Sequence, residues 1–341
     1  MDDYLITAIQ QIGIGVKDAD QAWDWYRKHL GFDLPIFSDE AEASLMFNYT
    51  GGNVHRRNAI LAMNVQGGGG FEIWQFTSRE PKAAAFEIQE GLLGITSIHL
   101  RCKSVNLAHE YFDQLKEVSI QPIEKDAIGR SFFNMKDPFG NAFKIIEDDY
   151  QLLKTDYVVG GIIGLTIGVS NLEKSIHFYK EVLHFDQVSE HFKTGDIAKV
   201  YLKSSEQRKG TFSKLLARNC IELVENPSLN KRHTYENRYW GDLGFIHVCF
   251  DVQQMDSLRE KAKVVDYPFK VDSDNSFNMG EAAGQFAYIE DPDKTLIELV
   301  ETHKIPINKK MGLYLNLKNK KTRKPLAKWM IKLLALNRVK N

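Results

Sequence analysis

The sequence predicts an α+β protein: four βαβββ units arranged as two pairs, followed by a basic helical tail. Three observations carry this. First, the chain repeats itself, because Val16, Asp18, Tyr26, Leu30 and Phe32 recur as Val169, Asn171, Tyr179, Leu183 and Phe185, all offset by 153 positions. Internal repetition at a fixed offset reports architecture directly. Second, each copy reads as a strand, an Asp or Asn helix cap and an amphipathic helix. Third, the residues from Lys304 onward hold twelve of the 44 Lys and Arg and no Asp or Glu. The remaining 32 bases face 45 acids, so a chain of net charge −1 divides into a body near −13 and a tail near +12.

The units fall at about residues 8–77, 92–148, 160–227 and 242–301. The second and fourth match each other as the first and third do. His99 is followed seven positions later by Asn106 and then Leu107, and His247 by Gln254 and then Met255. Both units close on an Asp-Pro turn, Asp137-Pro138 and Asp291-Pro292, that leads into a last strand. In the fourth unit, alternation along Gly244–Val252 puts Phe245, His247 and Cys249 on one strand face and Ile246, Val248 and Phe250 on the other. Glu298 stands between Leu296 and Val300 on its own face. A linker helix is expected between Pro81 and Leu93. The run Gly67–Gly70 reads as a hairpin connection, since no Lys-Ser/Thr or helix follows it as a phosphate loop requires. His233, Tyr235, Arg238, Tyr239 and Trp240 precede the fourth unit and serve either a substrate or the structure. In the tail, Leu326, Trp329, Met330, Leu333 and Leu334 recur at helical spacing, with Lys324, Lys328 and Lys332 on another face. Such a helix suits self-association, packing on the acidic body or an anionic membrane surface. No basic platform interleaved with aromatics suggests specific nucleic-acid binding.

At 341 residues, two domains are the default. Hydrophobic content of 43% and charged content of 26% describe an ordinary globular chain. Cys102, Cys220 and Cys249 are an odd number inside apolar runs, which reads as buried thiols in a reducing compartment. The start Met1-Asp2-Asp3-Tyr4 lacks the pattern of a signal peptide, and a cytoplasmic location is expected.

The four units, with Gly244-Phe245-Ile246-His247 and the Ile221-Glu222-Leu223 and Ile297-Glu298-Leu299 strands, resemble the vicinal oxygen chelate superfamily. That group includes glyoxalase I, extradiol dioxygenases and bleomycin-resistance proteins, and the likeness to glyoxalase I is strongest. The resemblance covers residues 8–301. It implies glyoxalase-like half-barrels, each made by two units around one metal, with a ligand from the first and last strand of each unit. It also implies a first domain over 1–150 and a second over 151–303, while residues 304–341, outside the resemblance, read from their spacing as a basic amphipathic extension.

The ligand positions that follow are Gln11, His99, Gly164 and His247 on the first strands and Glu72, Lys144, Glu222 and Glu298 on the last. Pairing neighbouring units leaves each site short of a ligand. Pairing the first unit with the fourth gives Gln11, Glu72, His247 and Glu298, a complete set. The second and third then share His99, Lys144, Gly164 and Glu222, where a Lys144–Glu222 ion pair can replace the cation. The crossed pairing is favoured, and the neighbour pairing stays open. Gln11 shares its face with Gly13 and Gly15, which are expected to leave room for a ligand, and residues 203–215 are expected to lie over the cup.

The complete set is O-rich and suits one divalent Zn, Ni, Co or Mn, with iron a poorer match. A small oxygen-chelating substrate held there would lose an acidified proton and pass through an enediolate, as in glyoxalase-type lyases and isomerases. Glu298 is the expected base, its apolar flanks raising its proton affinity, and Glu72 its partner carboxylate. Leu243 stands where the family has an arginine and Phe76 where it has an asparagine, so a glutathione adduct is either not the expected substrate or is bound differently. The alternatives are a metal-free ligand-binding or resistance protein and an Fe-dependent dioxygenase.

Overall fold

A computed structural model describes residues 4–205, 209–229, 232–274, 277–279, 282–308, 312–317 and 324–339. Its strands form two curled sheets of ten strands each. Unit one supplies Leu5–Gly15, Leu34–Glu42, Arg56–Met63 and Gly70–Phe76, and unit four supplies Gly244–Gln253, Ala282–Glu290 and Leu296–Asn308. These belong to the same sheet, joined where Leu5–Gly15 runs antiparallel to Gly244–Gln253. The other sheet joins unit two to unit three along Gly94–Cys102 and Val159–Val169. The pairing is crossed. A division at residue 150 follows the sequence duplication, and each sheet spans it.

The helices pair the other way. The helix Ala19–Trp25 of unit one, capped by Asp18, lies against unit two. Its continuation sends the Tyr26 hydroxyl to Asp137 Oδ2 (2.7 Å) and His29 Nδ1 to the Tyr111 hydroxyl (2.9 Å). The helix Leu172–Leu183 of unit three, capped by Asn171, lies against unit four. There Tyr179 donates to Asp291 Oδ2 (3.1 Å) and Phe178 meets Tyr267 edge-on. Each Asp-Pro turn is thus the anchor for the preceding unit's helix. One apolar core, with Ile9, Phe71, Phe143, Leu165, Phe178 and Phe250, runs between sheets and helices of all four units. The two sheets meet at the glycine run, where Gly69 bridges to Ile162. A Cβ on Gly68 would lie 2.5 Å from the backbone of Gly161, so a side chain there would separate them.

Some local expectations are corrected. Residues 81–93 carry no helix. The unit-two helix, Val105–Asp113, is capped by Ser104, which places Asn106 inside it. In the tail, sheet pairing continues through Leu296–Asn308 and Leu313–Asn316. The helix is confined to Lys328–Leu334 and buries Ile331 and Leu334, with Leu326 buried just before it. Trp329, expected on the apolar stripe, is 62% exposed. Arg338 ties the end of the tail to buried Asp33 of unit one at 2.6–3.0 Å. Among the described residues the three cysteines are free and buried, and no helix is long and apolar enough to cross a membrane.

Candidate metal centre

Four adjacent strands at the middle of the first sheet carry the four predicted ligands. In register, Gly13 lies opposite His247 on one side and Glu72 on the other, while Cys249 lies opposite Gln11 and Glu298. The side chains converge. His247 Nε2 is 3.2 Å from Glu298 Oε2 and 3.3 Å from Glu72 Oε2. Gln11 Nε2 lies 3.3 Å from Glu298 Oε2 and 3.5 Å from Glu72 Oε2. Ligand atoms of Glu72, His247 and Glu298 all fall within 4.8 Å of one another.

A bulge builds this site. The pairing steps from Gly13–His247 to Ile14–Phe245 and leaves Ile246 as the extra residue. Ile246 consequently packs inside the cup and Phe245 joins the helix-side core against Phe143. Phe245 and His247 therefore do not share a face as strict alternation predicts, which is the usual effect of a bulge beside a site. The glycines also act differently from expectation. A Cβ on Gly13 would lie 2.5 Å from His247 Cε1, and one on Gly15 would lie 1.9 Å from the Asp242 carbonyl oxygen. They make room for the imidazole and for a crossing backbone, not for a ligand.

The donor set fits a cation on its own chemistry. Gln11 Oε1 is buried without a partner, and an amide turned over would aim this oxygen where Nε2 now points. His247 Nε2 is close to two carboxylates yet makes no well-directed hydrogen bond to either. Gln11 Nε2 donates to the same two carboxylates at the long distances of 3.3 and 3.5 Å, so all four side chains gather around one point. Burial pushes the His247 imidazole down, but Glu298 and Glu72 outweigh it and lift it to about 9. For Glu298 burial pushes upward, as expected from its flanks. His247, the Cys249 thiol and the Tyr288 hydroxyl overcome that push, and the net shift is downward. The expected rise in proton affinity is not found.

Three neighbours complete the floor. Tyr288, opposite Glu298 in register, places its hydroxyl 3.4 Å from His247 Nδ1. Trp240 stacks nearly parallel to the imidazole at 6.5 Å. Cys249 stands beside Glu298. Trp240 and Cys249 were singled out in the sequence, and the Tyr288 position could have been found by pairing the last two strands of unit four. His233, Tyr235 and Arg238 line a separate cavity on another side of the cup wall.

Above Gln11, Glu72 and Glu298 opens a mostly apolar cavity of about 120 Å³. Its walls come from unit one (Phe37, Leu61), unit four (Phe286, Ile305), the segment after 209 (Phe212, Leu216) and the tail (Leu334). Neither Leu243 nor Phe76 lines it.

The second sheet shows the other outcome. Lys144 Nζ lies 2.6 Å from Glu222 Oε2, and both are buried. Thr166 and Tyr201 donate to the same carboxylate at 2.9 and 3.1 Å. Burial opposes ionisation of Glu222, but Lys144, His99 and Lys199 hold it well below the usual carboxylate range. Burial and then Lys144 depress His99. Gly164 has no room for a glutamine, because a Cβ there would lie 2.1 Å from the Cys220 carbonyl oxygen. An internal ammonium takes the place that a cation would need.

A family model described as the Glyoxalase/Bleomycin resistance protein/Dioxygenase superfamily matches residues 8–145 and 161–299. No curated protein matches the sequence. Among solved structures, a glyoxalase I variant from Zea mays is 13% identical with a TM-score of 0.58, over 88% of this chain and 94% of that one. Another, described as a putative dioxygenase from Bacillus subtilis, is 14% identical with a TM-score of 0.60, over 87% of this chain and 86% of that one. At these identities the likeness is one of fold. Two tandem matches over most of its length show that the chain belongs to the glyoxalase/bleomycin resistance protein/dioxygenase superfamily.

Proposed function

We propose that the protein is a divalent-metal-dependent lyase or isomerase of the glyoxalase type, acting on a small substrate with two chelating oxygens. One observation carries the reading: Gln11, Glu72, His247 and Glu298 converge on one point, with a buried amide oxygen and a buried imidazole nitrogen left unpartnered there. Zinc, nickel, cobalt or manganese suits two carboxylates, one imidazole and one amide oxygen. When bound, such a cation supplies Lewis acidity toward the substrate oxygens, which acidifies the adjacent C–H. Glu298 takes that proton and returns it to the neighbouring carbon. Glu72 faces it across the site as the second carboxylate. Tyr288 fixes the His247 ring from behind, as an outer partner of a ligating histidine does. The apolar walls keep water from the exposed carbanion centre.

The metal-free binding reading has one observation in its favour: His247, lifted to about 9, can itself balance the two carboxylates. An iron oxygenase generally uses two histidines and one carboxylate, the reverse of this ratio. Elemental analysis of purified protein beside a His247→Ala variant separates the readings. One equivalent of Zn, Ni, Co or Mn, absent from the variant, supports the proposal, and a Glu298→Gln variant should then retain metal but lose turnover. Metal-free protein that takes up none on dialysis sinks it.

A further inference from the structure

We propose that the substrate is an uncharged, apolar molecule with a body about the size of one aromatic ring, carrying its two chelating oxygens at one end. This rests on the functional reading above for the oxygens, and on the cavity alone for the body. The polar groups of the cavity are gathered at its floor, in Gln11, Glu72 and Glu298, with Gln10 and Thr302 beside them. The remaining side chains of the lining are apolar, including Phe37, Leu61, Phe212, Leu216, Phe286 and Leu334. Among the described lining residues there is no lysine or arginine. Nearby cations are committed elsewhere: Arg57 pairs with Asp39 and lies over Trp74, and Arg338 is bound to Asp33.

Charge then decides the class. A substrate carboxylate would enter this cavity without a counter-ion and with two carboxylates already at the floor, which is strongly unfavourable. A peptide thiol adduct, which carries such groups, does not fit. An apolar body gains from every methylene withdrawn from water. The volume of about 120 Å³ is comparable to that of a dry, Leu- and Phe-lined cavity that accepts one benzene ring. The walls are drawn from four separate segments of chain, including Leu334 near its end. Such a convergence of apolar side chains beyond a polar floor is the form of a pocket that orients one end of its ligand.

The test uses zinc-loaded full-length protein and three bidentate oxygen chelators: acetohydroxamate, benzohydroxamate and 4-carboxybenzohydroxamate. Calorimetry should show benzohydroxamate binding at least tenfold more tightly than acetohydroxamate, since each buried methylene is worth about fourfold. The carboxylated ring should bind at least tenfold more weakly than the plain one. Equal or tighter binding of the carboxylated ring overturns the proposal. A Phe37→Arg variant, which adds a cation to the wall away from the ligands, should narrow or reverse that preference at unchanged zinc content. The cavity is also tested without metal, by fluorine NMR of fluorobenzene and 4-fluorobenzoate. Broadening of fluorobenzene alone supports the apolar body even if no zinc is taken up, in which case it is the enzymatic reading that fails. Binding of neither, or of the benzoate alone, sinks the inference.

Discussion

Replacing Lys144 by methionine isolates the energetics of the second cup. The ammonium is buried, 2.6 Å from Glu222, whose side chain is only 1% exposed. Removing one partner of a buried pair costs about 3–5 kcal/mol when the other is stranded. Here Thr166 and Tyr201 still donate to Glu222, and Lys199 stays 3.7 Å from its other oxygen. The expected loss is therefore about 2–3 kcal/mol. With about 2.1 cal/mol/K of unfolding entropy per residue, that lowers the midpoint of a single transition by about 3–4 °C. The loss should also depend on pH. Glu222 is held low in the folded protein, so its contribution is complete above about pH 4.3 and fades in acid. His99 lies 3.5 Å from Glu222 and is depressed by burial and then by Lys144. Without Lys144, His99 protonates more readily and partly replaces it. Urea titrations of both proteins should show the gap widest at pH 8 and narrower at pH 5, and adding Glu222→Gln should recover more than half of it. A gap below about 0.5 kcal/mol at pH 8, or one that does not change with pH, would refute the argument.

Three further outcomes follow. Lys144→Glu recreates beside His99 and Glu222 the triad of the first cup, and elemental analysis should find one equivalent of zinc beyond the unaltered protein. Gly13→Ala places a methyl 2.5 Å from the His247 ring, so zinc affinity measured by competition with a chelator should fall about tenfold or more. Arg338→Ala leaves Asp33 buried without its guanidinium, which should cost about 1–3 kcal/mol by urea titration and speed tryptic release of the tail.

The ligand set was legible because the chain is written four times. The family resemblance supplied the first- and last-strand ligand positions, matching the copies placed them at Gln11, Glu72, His247 and Glu298, and chemistry disfavoured a pairing that put Lys144 against a cation. The rest depended on information that a strand pattern does not carry. Strict alternation could not foresee the bulge at Ile246, which depends on the partner strand's register. Gly13 looked like vacant space because the ring that fills it arrives from residue 247. Glu298 was judged by its flanks on its own strand. The groups that control it, His247 first and then Cys249 and Tyr288, come from the strands on either side. The cavity walls from Phe212 and Leu334 lie outside units one and four altogether. The tail helix also shows how weak spacing is as a guide to facing. Its buried side is set by Leu326, Ile331 and Leu334, which leaves Trp329 outside.

Sheets cross between the halves while helices pair within them, and this bears on why the Lys144–Glu222 cup persists. Each half of the chain holds one wall of both cups. A deletion that removed the Lys144–Glu222 cup would take away units two and three, and with them the helix partners of units one and four. The cup that holds Glu72, His247 and Glu298 has no route to independence. The Lys144–Glu222 cup is a keel: with a permanent internal cation at its centre, it holds its neighbour in register.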